Sequence, residues 1–229
     1  MDIMIAADLN YFSPALTLIV SLFHNHMEKD MNIYFLCSEF GEKEFAVLDK
    51  IEKRYKNKKI ICFNISEEQT EGLRSFGRFS VGAFYRILGL EMIPTEVERI
   101  LYLDVDILFN RDIRLLYDID IEGYEYAATR DHYGKYLVYF NYINAGVLLL
   151  NMKEIRKSGL FAKARELIKT KKLPFADQSA IFRSTTRKKM LPQRFNDQKF
   201  LHRHTVVRHF SRRLFYLPYP HTDNIKQWN

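Results

Sequence analysis

Short apolar segments typical of β-strands alternate along this chain with segments whose apolar residues recur at helical spacing. Residues 3–7 are strand-like, 16–23 have helical spacing, 32–37 are strand-like again, and 42–55 are helical. A strand, a helix and a further strand in succession form a right-handed crossover between parallel strands. The order of these segments therefore predicts an α/β fold, with a mostly parallel central sheet flanked by helices.

The alternation continues through most of the remaining chain. Further strands are predicted at 59–64, 99–103, 126–129 and 145–150, and further helices at 81–92, 153–169 and 176–182. No linker rich in Pro, Gly or Ser interrupts the 229 residues, a length that suits one large domain. We therefore expect a single domain over 1–229.

The strand-like run 100–103 ends in a pair of carboxylates, Asp104 and Asp106. In extended backbone, residues i and i+2 point to the same side, so both carboxylates can face one site. Two close negative charges repel unless a cation lies between them, and oxygen ligands suit Mg(II) or Mn(II). The alternative is a solvated turn or a helix cap, because two Asp separated by one residue is a common pattern.

Three other polar segments follow or precede apolar runs. Asp8, Asn10 and Tyr11 follow the first strand, where they could cap the next helix or contact a base and ribose. Asn144 precedes Ala145 and Gly146, which turn chemistry alone would explain. Asp177 and Gln178 precede a short helical segment, where Asp177 could be an N-cap.

Composition and motif searches narrow the functional class. The chain has no HExxH, no GxxxxGK[ST], no GxSxG and no paired CxxC, which argues against a zinc peptidase, a P-loop NTPase, a serine hydrolase and a zinc finger. Cys37 and Cys62 are the only cysteines, and we expect buried free thiols. The start of the chain has no secretory-signal pattern, so we expect a cytoplasmic protein.

The net charge of +7 conceals an asymmetry between the two parts of the chain. Residues 1–150 contain 16 Lys and Arg against 23 Asp and Glu, whereas residues 151–229 contain 19 against 5. A basic C-terminal third attracts phosphorylated ligands, anionic membranes or nucleic acid. No RNP or KH pattern accompanies it, so we expect no nucleic-acid partner. Peripheral association with a membrane surface remains an alternative use of this charge.

In order along the chain, these segments resemble the family 8 retaining glycosyltransferases of GT-A fold, which include bacterial lipooligosaccharide galactosyltransferases and glycogenin. The matching stretches are 5–11, 84–87, 99–106, 144–151, 177–178 and 209–210. The resemblance implies a UDP-hexose donor, either UDP-galactose or UDP-glucose, a glycan or glycolipid acceptor, and retention of the anomeric configuration. It also implies a Mn(II) cofactor, with Mg(II) as the alternative, held by Asp104, Asp106 and His209.

The same resemblance implies roles for further residues. The uridine-binding segment would be Asp8, Asn10 and Tyr11, and the substrate-binding positions extend to Ala6 and Val105. The positions that match contacts to the donor sugar or its phosphates are Arg86, Asp131 and Asn144. Asp177 and Gln178 match the acidic and amide pair beside the anomeric carbon, which we treat as the catalytic pair.

Two departures from the family pattern concern the C-terminal part and the neighbour of Gln178. The terminal motif of the family contains a His, a Gly and Lys-Pro-Trp, and its Gly is missing here. We interpret Lys226, in the sequence Lys-Gln-Trp, as the counterpart of the motif's Lys, which would approach the diphosphate. Ser179 stands where the family often has an acid. The basic, aromatic extension of the family is absent, which fits either a compact enzyme or one domain of a longer protein.

Two functions remain open at this point. The first is Mn-dependent, retaining hexosyl transfer to a glycan or glycolipid. The second is a non-catalytic module of the same fold that binds UDP-sugars or glycans. In the catalytic case Gln178 would lie on the face opposite the leaving group, but an amide is a poor nucleophile. We therefore favour attack from the front face, with the leaving phosphate accepting the proton of the acceptor hydroxyl.

Overall fold

The computed structural model describes residues 1–66, 85–199 and 201–210. In the first part, strands and helices alternate as predicted, and they are β1 (Asp2–Ala7), α1 (Phe12–Asn25), β2 (Met31–Cys37), α2 (Glu42–Arg54) and β3 (Lys58–Asn64). The middle of the chain forms α3 (Tyr85–Gly89), β4 (Arg99–Leu103), β5 (Ile107–Phe109), α4 (Arg114–Tyr117), β6 (Tyr126–Thr129) and α5 (Gly134–Leu137). The remainder forms β7 (Val147–Asn151), α6 (Met152–Ser158), α7 (Leu160–Thr170), α8 (Ala176–Ser184), β8 (Lys188–Leu191) and β9 (Val207–His209).

A central sheet organises the described part of the chain, with strand order β3-β2-β1-β4-β7-β6-β8. The strands β3, β2, β1 and β4 are parallel to one another, β6 is parallel to β8, and β7 runs antiparallel to both β4 and β6. The predicted mixed α/β architecture with a mostly parallel sheet is confirmed. A second, two-stranded sheet pairs β5 with β9 in antiparallel register.

Helices cover both faces of the central sheet and create two apolar cores. On one face Met4 and Leu148 pack with Ile155 and Phe161 of α6 and α7. On the other face Ile3 packs with helices α1, α2 and α4. Because strand side chains alternate between faces, strands buried on both sides need apolar residues at nearly every position. This explains the continuous apolar runs of β1, β4 and β7.

Several predicted boundaries were wrong, and each has a physical reason. The helix predicted at 153–169 is two helices, α6 and α7, because Gly159 adopts a left-handed conformation with φ 67° between them. The strand predicted from residue 145 begins at Val147. Of the helix predicted at 81–92, α3 is the described helical part, and residues 81–84 lie outside the described residues.

Both cysteines are free, as predicted, and they lie on neighbouring strands. Cys37 is buried, whereas Cys62 is only partly buried, so the prediction of burial holds for the first thiol alone. Within the described residues, no helix has the length and apolar character needed to cross a bilayer.

Candidate active site

The carboxylate pair lies at the carboxyl end of β4, beside the end of β1. Ile5 of β1 is in register with Leu103, the last residue of β4. The chain therefore leaves both strands at one edge of the sheet, which brings the segment of Asp8 close to that of Asp104. Ligands of open α/β sheets bind at this edge, outside the carboxyl ends of the strands.

His209 reaches the two carboxylates from the other end of the chain. The pairing of Ile107 with His209 joins β5 to β9 and brings the imidazole back over the strand that follows Asp106. Nε2 of His209 lies 3.1 Å from Oδ1 of Asp106 and 3.7 Å from Oδ2 of Asp104. One ligand atom from each residue lies within 4.8 Å of the other two.

This donor set fits a divalent cation of the Mn(II) or Mg(II) type. Two carboxylate oxygens and one imidazole nitrogen converge, and the carboxylates are partly exposed while the imidazole is buried. Such ions bind through one or two carboxylates and leave positions for water and phosphate oxygens. Burial opposes ionisation of Asp106, but the nearby His209 outweighs it and lowers the pKa of the carboxyl.

Gly146 keeps the space beside these ligands open. A Cβ atom at this position would lie 2.4 Å from Cε1 of His209 and 2.6 Å from Oδ2 of Asp104. The backbone carbonyl of Gly146 also accepts a hydrogen bond from the N–H of Asp104. The requirement for a residue without a side chain explains the small pair before β7 better than turn chemistry does.

Arg86 links the metal-ligating end of β4 to the start of α8. One of its terminal nitrogens lies 3.1 Å from Oδ1 of Asp104, and Nε lies 2.6 Å from Oδ2 of Asp177. The guanidinium also stacks over the ring of Tyr102 at 4.6 Å, and it donates to the carbonyl of Ala145. A planar fork with several donors can hold two carboxylates and a carbonyl in this way.

Asp177 and Gln178 lie at the beginning of α8, with different partners. Burial raises the pKa of Asp177 to about 6, against the opposing effect of the Arg86 charge, and the Asp104 charge raises it further. Oε1 of Gln178 accepts a hydrogen bond from the N–H of Ala145 at 3.0 Å. Asp177 makes no N-cap, because the N-cap position is Phe175. The capping alternative is therefore excluded.

Asp131 and Asn144 face each other across the loop that joins β6 to β7. Nδ2 of Asn144 donates to Oδ2 of Asp131 at 2.9 Å. Oδ1 of Asp131 accepts the N–H groups of Tyr133 and Gly134. The structure thus brings these two predicted residues together.

The segment after β1 combines a cap with exposed side chains. Oδ1 of Asp8 accepts the N–H groups of Asn10 and Tyr11, which starts a short 3-10 turn. Asp8 therefore caps this short turn and not α1, which begins after Tyr11 without a side-chain cap. Asn10 is exposed and Tyr11 is 40% exposed.

The three remaining predicted positions differ in what the structure says of them. Ala6 is partly buried near the end of β1. Val105 is buried in the core beneath the sheet, so its main chain is the part available for a ligand contact. Lys226 lies outside the described residues.

One residue of the site went unpredicted. Asn196 is fully buried, and its Oδ1 lies 2.9 Å from Nδ1 of His209. Its Nδ2 donates to Oδ1 of Asn144 at 2.8 Å. The sequence contains no signal for this residue, because a run of three polar residues, 196–198, is typical of an exposed turn, yet all three are buried.

Comparison with known proteins identifies the family. The family model described as glycosyl transferase family 8 matches residues 2–202. The chain belongs to glycosyl transferase family 8. Its curated relatives include glycosyltransferase GlyF of Streptococcus pneumoniae, 29% identical over 167 residues, covering 72% of this chain and 40% of the relative. A lipopolysaccharide 1,2-glucosyltransferase of Escherichia coli is 23% identical over 211 residues, covering 82% of this chain and 60% of the relative.

Solved structures share the fold of this chain. The galactosyltransferase LgtC, crystallised with donor and acceptor sugar analogues, superposes with a TM-score of 0.77 at 22% identity, covering 92% of this chain and 87% of that one. Glycosyltransferase GlyE of Streptococcus pneumoniae gives a TM-score of 0.73 at 18% identity, covering 99% of this chain and 59% of that one. At these identities the likeness shows the GT-A fold. This family 8 chain spans about half the length of the curated relatives it matches, 40% of GlyF and 60% of the lipopolysaccharide glucosyltransferase.

Proposed function

We propose that this chain is the catalytic domain of a retaining glycosyltransferase that transfers galactose or glucose from a UDP-hexose to a glycan or glycolipid. The observation that carries the proposal is the convergence of Asp104, Asp106 and His209 at the sheet edge of a family 8 chain. A metal-ligand set at this edge suits a nucleotide diphosphate, because the phosphates complete the coordination of such ions.

The proposed cofactor is Mn(II), with Mg(II) as the alternative. Asp104, Asp106 and His209 would hold it, and when bound it supplies positive charge beside the diphosphate leaving group. The neutral imidazole is required for ligation. The hydrogen bond between Nδ1 of His209 and Asn196 leaves Nε2 directed at the carboxylates, as ligation demands.

We assign the nucleotide to the segments that follow β1 and β4. Tyr11 offers an exposed ring for stacking on the base, and Asn10 offers an exposed amide for hydrogen bonding. Asp8 shapes this segment through Oδ1, which leaves Oδ2 for a ligand. The main chain at Ala6 and Val105 completes the proposed nucleotide contacts.

We assign the sugar and its phosphates to the groups on the other side of the metal ligands. Arg86, Asp131 and Asn144 would bind the hexose or the phosphates, and Lys226 would approach the diphosphate. The amide of Gln178 and the carboxyl of Asp177 begin α8 beside them. In this arrangement, hydrogen-bonding side chains would contact the donor sugar, and they would distinguish hexoses by the positions of their hydroxyl groups.

In the proposed reaction, the bond between the anomeric carbon and the diphosphate oxygen breaks as the acceptor oxygen forms its bond from the same face. The leaving phosphate oxygen accepts the proton of the acceptor hydroxyl, so charge and atoms balance without a protein base. Gln178 would stabilise the positive charge that develops on the sugar, because its carbonyl oxygen is an acceptor and a poor nucleophile. Binding both substrates in one orientation supplies much of the acceleration.

The experiment is a panel of nucleotide sugars scored by UDP release, with Mn(II), with Mg(II) and with chelator. We expect release from UDP-galactose or UDP-glucose that requires the metal. Asp106→Asn should remove the activity, because it weakens ligation by one charged oxygen. The matched control is Asp112→Asn, since Asp112 is an acid six positions away that pairs with Arg114, and it should keep the activity.

Three results would contradict the proposal. One is full turnover by a folded Asp106→Asn protein. Another is UDP-sugar binding with Mn(II) but no UDP release with any acceptor, which would favour the non-catalytic module. The third is release that is equally fast in chelator.

A further inference from the structure

An exposed run of large apolar side chains covers the end of α5 and the residues after it, close to the candidate site in sequence. Tyr136 is 78% exposed, Leu137 61%, Tyr139 56% and Phe140 59%. We call residues 136–140 the aromatic segment. Single exposed apolar residues are ordinary on protein surfaces, but a contiguous group of four within five residues is typical of an interaction surface.

The aromatic segment is anchored by the fold. Its N-terminal side is tied by Asp131, whose Oδ1 accepts the N–H groups of Tyr133 and Gly134. Its C-terminal side is anchored by Tyr142, which is fully buried and packs at 5.0 Å on the ring of Phe182. Tyr139 also contacts Phe182, with ring centroids 6.2 Å apart. The exposed side chains therefore project from a fixed base.

Cations surround the aromatic segment. Arg130 lies over the ring of Phe140 at 5.7 Å and Lys135 over that of Tyr136 at 4.9 Å. Lys188 lies over Phe182 at 4.4 Å, beside Tyr139.

Acidic side chains are scarce near these cations. Asp131 is the only acid between residues 126 and 153, and Asp177 is the only one between 167 and 196. The carboxylate of Asp131 is occupied by backbone N–H groups and Asn144, and Asp177 is buried against Arg86. Among the described residues, the side chains of Arg130, Lys135 and Lys188 form no ion pair, so the positive charge beside the aromatic segment complements an anionic partner.

We infer that the aromatic segment docks on the surface of an anionic membrane. Tyrosine and phenylalanine insert at the headgroup level of bilayers, where flanking Lys and Arg meet anionic lipids. A second copy of the chain is a poorer fit, because a stable protein interface takes about 20 to 30 residues from each side. The aromatic segment precedes the basic C-terminal third, residues 151–229, in sequence, and Lys188 of that third contacts Phe182 beside Tyr139.

Docking through the aromatic segment has a consequence for the identity of the acceptor. Asp131 and Asn144 are both in the loop that carries the aromatic segment, so a membrane-bound molecule would hold its sugar-binding groups next to the lipid headgroups. The acceptor would then be a sugar carried on a lipid. This consequence rests on the proposed function, whereas membrane docking does not.

The test is sedimentation of the full chain with vesicles, without donor or acceptor. The lipids are phosphatidylcholine alone and phosphatidylcholine mixed with phosphatidylglycerol. We expect binding to the mixed vesicles, lowered at least about tenfold by a triple variant carrying Tyr136→Ser, Leu137→Ser and Phe140→Ser, because insertion depends on buried apolar area. The control carries Met27→Ser and Leu115→Ser, which remove side chains of 58% and 51% exposure elsewhere, and should bind as the unmodified chain does.

Thermal unfolding confirms that each variant is folded. Lys135→Glu gives a second reading, because a reversed charge should weaken binding to the mixed vesicles without removing an inserted ring.

Unchanged vesicle binding by the triple variant would overturn the inference, as would no binding by the unmodified chain. A self-association that the triple variant abolishes would show a contact between copies instead. A higher KM for a soluble sugar acceptor with unchanged vesicle binding would show that the segment stacks on carbohydrate. No UDP release by the unmodified chain, together with vesicle binding that the triple variant lowers, would contradict the proposed function and leave the docking inference standing.

Discussion

Oδ1 of Asn196 lies 2.9 Å from Nδ1 of His209, and the same side chain donates through Nδ2 to Oδ1 of Asn144. Because the amide nitrogen is used toward Asn144, the oxygen faces the imidazole and accepts its Nδ1–H. The remaining nitrogen, Nε2, then faces Asp104 and Asp106. In the metal-free protein it donates a proton to Asp106, and although burial opposes the charged imidazole, Asp106 outweighs burial and raises the pKa of His209. With a cation bound, Nε2 would present its lone pair to that cation. One buried amide thus orients the proposed metal-ligating ring and connects it to the proposed sugar-binding loop.

Asn196→Ala should weaken binding of Mn(II) about 10- to 100-fold, the usual effect of losing a partner that orients a ligating histidine. Titration calorimetry with Mn(II) alone measures this. The control is Asn110→Ala, since the Asn110 side chain donates to the carbonyl of Thr205 near the same strands and makes no hydrogen bond to His209 in the described part of the chain. Equal Mn(II) affinity in both variants would mean that the imidazole is held by its packing.

Gly146→Ala should have a larger effect on metal binding than on folding. The added Cβ would approach atoms of His209 and Asp104 to less than 3.0 Å, so at least one ligand must move. We expect loss of measurable Mn(II) binding. The matched variant is Gly41→Ala, where the nearest atom is the Glu44 carboxylate at 3.4 Å, and it should bind the ion normally. Normal binding by Gly146→Ala would show that the two ligands can shift without harm.

Patterns within short segments allowed much of this fold to be predicted. The strand at 99–103 was predicted with its observed bounds because an apolar run stops abruptly at Asp104. Strand direction was harder. An apolar run buried on both faces has the same pattern in either direction, so the reversal of β7 could not be read from residues 147–151. The break at Gly159 was missed because helical spacing continues on both sides of it.

The site was predictable where side chains are neighbours in sequence, and less so where the fold joins distant segments. Asp104 and Asp106 share a strand end, so spacing alone indicated their convergence. The contact of Asn196 with His209 depends on the bridge between Asp197 and Arg208, which places the segment of Asn196 beside β9 and brings together residues 13 positions apart. No local pattern around Phe195 and Asn196 distinguishes a buried amide from one in an exposed turn.

Asp177 gives the metal-free protein a defined dependence of stability on pH. Burial raises its pKa from 3.8 to about 6, so the folded state holds this proton more tightly than the unfolded chain does. The free energy of unfolding from this group is therefore largest below about pH 4 and falls as the pH rises to about 6. A rise of this size corresponds to about 3 kcal/mol.

Asp177→Asn should remove that fall, because an amide does not titrate. Urea denaturation of both proteins between about pH 4 and pH 7, with chelator present, measures the difference in unfolding free energy. We expect the variant to gain stability relative to the unmodified chain as the pH rises through this window. A difference that stays constant with pH would show that Asp177 is ionised in the folded protein throughout.

Lys58 stabilises the end of α1 from the neighbouring strand β3. Its side chain is buried, and Nζ donates to the carbonyls of His26 at 3.0 Å and Met27 at 3.2 Å, and also to that of Lys29. These carbonyls follow the last turn of α1, where a helix has no internal donors left. Burial lowers the pKa of Lys58, yet its three donors fit three acceptors.

Lys58→Met keeps the length of the side chain and removes all three donors. We expect the free energy of unfolding to fall by about 1 to 3 kcal/mol, because buried carbonyls lose a charged donor. Lys59→Met is the control, since Lys59 is the next residue of β3 and is exposed, and it should change stability by less than about 0.5 kcal/mol. Urea denaturation at neutral pH compares the two. Equal stability of both variants would mean that water replaces the ammonium group at these carbonyls, and that the end of α1 is held by its packing on β1 and β5 instead.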